Sequence, residues 1–283
     1  MNPVTIVTDS TACLTPDLLK DNQISVVPLS VNWDGKTYLD NVDITIKEFY
    51  TRLAGSKSIP TTSQPSIEAF RQVYDDLLAE GRDILTITLS SKLSGTNDSA
   101  TQAQREVDSK RVEVVDSLTT SMPLAMVAVK TAMAAASGAS LLECKNYAKD
   151  LISRSKVYFA LETLEFLHKG GRIGGAARFL GTALGLKPIL TVQDGTIIAV
   201  ERVRTSNKAH LRLIELVEEE VGPQGKLEYL GAISANAPEA RNELLAEAVK
   251  HFRVDREITG DISPVIGTHA GPGAVGLAYI RPA

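Results

Sequence analysis

Two cysteines, Cys13 and Cys144, are all that the 283-residue chain contains, and they show no paired spacing. A disulfide framework is therefore not expected, and the usage is compatible with a reducing compartment. Charge of one sign is equally scarce, since 30 Lys and Arg stand against 34 Asp and Glu, for a formal net charge of -4. That balance supplies no basic field for nucleic acid or for an anionic membrane. Nor is there a long apolar run. The most apolar stretch, Leu124 to Leu142, is diluted by Lys130, Thr131, Ser137, Gly138 and Ser140, and alanine is its commonest residue. It reads as a buried core helix pair, so no stable membrane insertion is expected. Met1 to Ser10 has neither a positively charged region nor an apolar run before a cleavage site. No signal peptide follows from that, and a cytoplasmic location is expected.

The common catalytic signatures are missing as well. No G-x-S-x-G elbow, Walker loop, H-E-x-x-H or Cys/His cluster occurs. His168, His210, His251 and His269 lack ligand-like spacing, so no metal is expected, nor any cofactor. Internal repeats and low-complexity linkers are also absent.

What is present alternates strand and helix. Val4 to Thr8, Ser25 to Val31, Ile84 to Leu89 and Arg111 to Val115 are short, β-branched and apolar, and they predict strands. Between them, Ile67, Phe70, Val73, Tyr74, Leu77 and Leu78 fall at helical spacing in Pro65 to Glu80, which Gly81 ends. Thr45 with Glu48, and Ser140 with Glu143, match the capping box. Strand, helix, strand in this order predicts a mostly parallel sheet over residues 1–155, with helices on both faces. A second α/β domain with a mixed sheet is expected over 156–283. There Gln193-Asp-Gly195 separates two apolar runs, Ile189 to Val192 and Thr196 to Val203, as a hairpin signal. Helices from about Asn207 to Glu220 and Pro238 to Phe252 follow, with strand-like runs at 227–233 and 275–280. A ligand site is expected where the two domains meet.

Several loops carry polar chemistry. In Leu89-Ser-Ser-Lys-Leu-Ser-Gly-Thr-Asn97, Ser91 and Ser94 lie between a strand end and a helix start, where hydroxyls and free N–H groups form an anion site. Ser94 reads equally as a plain helix cap. Thr61 and Thr62, in Pro60-Thr-Thr-Ser-Gln-Pro65, either line a polar pocket or serve as turn chemistry. Asp9, after the first strand, either braces loop N–H groups or touches ligand. Gly267 to Gly276 contains a G-x-G-x-x-G string, but only seven residues follow it and no βαβ unit fits. It reads instead as a glycine-rich loop that approaches a ligand, with His269 projecting from it. Arg172, between glycine pairs in Lys169 to Gly175, suits a carboxylate or phosphate clamp, or an interdomain salt bridge. Arg202 and Arg204 read as exposed strand ends or as a basic patch for a phosphorylated partner.

In this order, Thr8-Asp-Ser-Thr11, Pro60-Thr-Thr-Ser-Gln-Pro-Ser66, Leu89-Ser-Ser with Ser94-Gly-Thr96, Asp116-Ser117, Lys169-Gly-Gly-Arg-Ile173, Lys187-Pro-Ile-Leu190 and His269-Ala-Gly-Pro-Gly273 resemble the DegV family of fatty-acid-binding proteins. The resemblance spans nearly the whole chain. It implies a two-domain fold whose interface encloses a long-chain fatty acid, a carrier and not an enzyme. The carboxylate is then held by Thr61 or Thr62 and by Ser91 or Ser94, with His269 and Arg172 in the matched motifs. It also implies handover to a separate fatty acid kinase, which makes an acyl phosphate for phospholipid synthesis, with Arg204 tied to that step. An enzyme related to the dihydroxyacetone kinase fold, using His269, is the alternative. A Ser94–His269 hydrolase is a lesser variant of it.

Overall fold

The computed structural model describes residues 2–108, 110–180 and 185–283. Met1, position 109 and positions 181–184 of the glycine-rich Lys169 to Gly185 run lie outside the described residues. The chain opens with β1 (Val4–Asp9), α1 (Pro16–Asp21), β2 (Ser25–Val27), β3 (Ser30–Trp33), β4 (Lys36–Leu39), α2 (Ile46–Gly55) and β5 (Thr61–Ser63). Next come α3 (Ile67–Ala79), β6 (Asp83–Thr88), α4 (Thr96–Glu106), β7 (Val112–Asp116), α5 (Met122–Ala136) and α6 (Leu141–Arg154). Then follow β8 (Ser155–Ala160), α7 (Glu165–Lys169), β9 (Lys187–Gln193), β10 (Thr196–Val203) and α8 (Ser206–Val221). The last elements are β11 (Lys226–Leu227), β12 (Tyr229–Ser234), α9 (Pro238–Ala248), β13 (Arg253–Val254), β14 (Glu257–Asp261), α10 (Pro264–Ala270) and β15 (Val275–Ile280).

Strand pairing separates the early and late parts of the chain. β2-β1-β6-β7 form an all-parallel sheet, and β4-β3-β5 a small antiparallel one. The order β10-β9-β8-β15-β12-β14 makes a mixed sheet, antiparallel except between β12 and β14. β1 is buried along its whole length, which is why it reads as a continuous apolar run and not an alternating one. The predicted single strand Ser25 to Val31 is instead two strands in two sheets. Pro28, which has no N–H to offer a ladder, falls at the break.

Helix ends follow local chemistry. Both capping boxes form, Thr45 with Glu48 and Ser140 with Glu143. Ser66 caps α3 by accepting from the Ala69 N–H at 3.1 Å. α9 stops at Ala248, short of the predicted Phe252, and the chain re-enters strand at Arg253. Between β9 and β10 the hairpin turns on Asp194 (φ 49°) and Gly195 (φ 81°), the pair of positive values that a two-residue turn demands.

α5 holds the structure together. Its first eight residues are all buried, so it is apolar all round, as expected of a helix covered on every side. It touches β1 and β6 of the parallel sheet and β8, β12 and β15 of the mixed sheet. α3 and α4 cover the outer face of the parallel sheet, and α8 and α9 that of the mixed sheet. Both cysteines are buried free thiols. Among the described residues, no helix is long and apolar enough to cross a membrane.

Candidate functional site: an apolar cavity with one polar end

A cavity of about 460 Å³ lies against the inner face of the mixed sheet, within the range of small-molecule sites. Its walls come from both sides of residue 155. Leu29, Leu89 and Leu93 belong to the early elements; Phe159, Ile197 and Ile233 belong to the mixed sheet. α10 supplies Val265, Ile266 and His269. Among the described residues Arg172 is the only charged side chain in the lining, and no carboxylate reaches it.

The polar groups gather on a few loops. β5 pairs with β3, which places Thr62 opposite Val31, and Thr62 is half-buried. The Thr62 hydroxyl and His269 Nε2 are 2.8 Å apart. His269 sits in the last turn of α10 and not in a glycine loop as predicted. Pro264 starts that helix and Gly271, at φ 73°, ends it. Burial, and then the positive charge of Arg172, push the His269 pKa down to about 4, so the ring is neutral at neutral pH. Its Nδ1 has no hydrogen-bond partner among the described residues.

Arg172 is held by backbone, with Nε donating to the Leu93 carbonyl at 3.2 Å and Nη1 to the Gly170 carbonyl at 2.8 Å. It makes no ion pair with an acidic side chain among the described residues, so the salt-bridge reading does not apply. Ser94 lines the cavity, and its Oγ lies 2.9 Å from Thr96 Oγ1. The N-cap of α4 is Gly95, without a side-chain cap bond, and the Ser94 Oγ one residue earlier accepts from the Thr96 N–H at 3.3 Å. Ser94 and His269 each bond another hydroxyl and not one another, which leaves a Ser94–His269 nucleophile pair unassembled.

The other predicted residues fall elsewhere. Ser91 is exposed outside the lining, and its N–H donates to the Asp116 carboxylate at 3.2 Å. Thr61 is exposed and also outside it. Arg204 is exposed just after β10. Asp9 braces loops: it accepts from the Thr11 N–H at 3.0 Å and the Leu89 N–H at 2.7 Å, tying together the ends of β1 and β6. Burial pushes its pKa up to about 6.

Thr11, Gln64, Thr120 and Ser121 also line the cavity. Thr120 and Ser121 were not anticipated, although a signal existed. Ser117, Thr119, Thr120 and Ser121 crowd the carboxyl end of a parallel strand, where α/β sheets place ligands. The hairpin tip closes against this region, with Ser90 Oγ donating to the Gly195 carbonyl at 2.7 Å.

A parallel sheet and a mixed sheet joined through a buried helix, with a largely apolar cavity that also takes in Thr62, Ser94, Arg172 and His269, define an α/β protein with a candidate ligand site. A family model described as "Uncharacterised protein, DegV family" matches residues 3–282. A DegV domain-containing protein of Clostridium acetobutylicum is 38% identical over 283 residues, covering 98% of this chain and 97% of its own. The chain belongs to the DegV family. A Thermus thermophilus structure described as fatty acid binding of a DegV family protein superposes with a TM-score of 0.93 at 35% identity, covering 99% of this chain and all of that one. A Thermotoga maritima protein, whose structure is said to reveal fatty acid binding function, matches with a TM-score of 0.90 at 33% identity over the full length of both chains.

Proposed function

We propose that this protein binds one long-chain fatty acid in the cavity, as a cytoplasmic carrier that performs no reaction of its own and needs no cofactor. The observation that carries this reading is the lining itself: apolar walls, with one cation, one neutral histidine and a few hydroxyls. Such a lining suits a molecule with a long apolar body and a single anionic head. About a dozen methylenes at ~0.8 kcal/mol each supply roughly 10 kcal/mol of gross driving force before association costs. The tail therefore gives affinity, and the polar end orients the head.

There His269, protonated on Nε2, donates to the Thr62 hydroxyl, which in turn donates a hydrogen bond to the carboxylate. Arg172 supplies the balancing charge, and Ser94 a further donor. The residues before and after position 155 act as two domains with the ligand between them. The carboxylate, held mainly by neutral groups, stays available to a partner. A fatty acid kinase that forms an acyl phosphate for phospholipid synthesis is the partner this reading assigns, with Arg204 on the docking face.

Native mass spectrometry of the purified protein, followed by lipid extraction, tests the binding. One fatty acid per chain is expected. Protein that neither retains nor takes up fatty acid at that stoichiometry overturns the reading.

A further inference from the structure

Beneath the cavity, three residues stand side by side across the mixed sheet. Gly276 of β15 pairs with Phe159 of β8 on one side and with Ile233 of β12 on the other. All three line the cavity. Directly opposed residues on one face of a sheet are near neighbours, so any side chain at 276 would rise between the two flanking ones. A Cβ there would lie 3.3 Å from Phe159 Cβ and 3.3 Å from Ile233 Cγ2.

Nothing in the backbone calls for glycine at this position. Gly276 is not among the residues of positive φ, and it sits within a fully buried strand, where glycine weakens the sheet. What it provides is space. Two other glycines on the same face show how such space is used elsewhere. Gly231 is filled by Met126 and Met122 of α5, and Gly260 is covered by the Met122 methyl. The slot at Gly276 is flanked by the protein but not filled by it, and it opens into the cavity.

We infer that Gly276 sets the length of acyl chain the protein accepts, the tail running through the slot between Phe159 and Ile233. This rests on the fatty-acid reading and adds to it the residue that limits the tail. A side chain at 276 blocks the passage, so long chains lose contacts that short chains never make.

The test is a binding series of saturated fatty acids from decanoic to octadecanoic acid on wild type, Gly276→Ala, Gly276→Val and the double variant Gly276→Val with Ile233→Ala. Gly276→Val is expected to weaken octadecanoic acid at least tenfold while decanoic acid changes less than twofold, with Gly276→Ala between them. The double variant, which removes one wall of the slot, is expected to regain most of the loss. Equal losses at every chain length, or none in variants that melt like wild type, overturn the inference. Should Gly276→Val not fold, the graded response of Gly276→Ala decides. Wild type that binds no fatty acid sinks the fatty-acid reading itself, whereas wild type that binds with unchanged length preference in the variants sinks this inference alone.

Discussion

Gly170 lies so close under the His269 ring that a methyl group on its Cα would run into Nδ1. The backbone there has φ −76° and ψ −7°, ordinary right-handed geometry open to any residue. What the position requires is the absence of a side chain, so that the imidazole can reach Thr62. Gly170→Ala is therefore expected to displace the ring and weaken fatty-acid binding about tenfold, some 1.4 kcal/mol. Displacement of a fluorescent fatty acid measures it. Unchanged affinity in a folded variant would show that the ring's position is immaterial to the ligand.

Thr62→Ala and Ser94→Ala should separate binding from folding. Thr62 is only half-buried, and Ser94 makes one long bond to the start of α4, from the Thr96 N–H at 3.3 Å, so neither hydroxyl is expected to carry much stability. Each substitution is expected to lower affinity several-fold to tenfold, with a melting temperature close to wild type. A large drop in melting temperature would move Ser94 back to a structural role.

His269 should stay neutral well below ordinary histidine titration, because its pKa is pushed down to about 4. Its ring resonances are expected to show one neutral tautomer, protonated on Nε2, from about pH 5.5 to pH 8. A His269 midpoint near 6.5 would mean that its burial and the Arg172 charge do not act as described.

Asp40 carries a stability cost. Burial raises its pKa from 3.8 to about 6, against an opposing hydrogen bond from the Val265 N–H at 3.2 Å. Between those two values the folded protein holds the proton more tightly than the unfolded chain. Stability from this group therefore falls as pH rises through that window, and the loss is complete above it. His269 acts in the opposite sense, since its lowered pKa adds stability as pH rises from about 4 to 6.5. Asp40→Asn keeps an oxygen for the Val265 N–H and removes the charge. It is expected to gain roughly 1–3 kcal/mol at about pH 8 and nothing at about pH 4, by urea denaturation. No gain at the higher pH would refute this account of Asp40.

Much of the architecture was legible because its causes are local. Apolar runs of β-branched residues, the Thr45–Glu48 and Ser140–Glu143 boxes and the Asp194-Gly195 turn each act within a few residues. Their energetics do not wait on the rest of the chain. The division of Ser25 to Val31 could also have been read, since Pro28 breaks the ladder by its own chemistry.

The cavity was legible only in part. Its polar loops announced themselves by hydroxyls at strand ends, and family resemblance connected them to a fatty acid. The sequence alone determined the alternation of strand and helix, the two capping boxes and the hairpin turn, because each of these acts within a few residues. Only the tertiary structure decided that Thr62 meets His269 from 207 positions away, and that Ser91 and Thr61 stay outside while Thr120 and Ser121 come in. It alone placed Gly170 under the imidazole, a contact that no spacing within the chain records. The reason is physical. Contacts across such separations are set by how α5 spaces the two sheets and how α10 lies against β3 and β5, and packing at that range leaves no periodicity to read.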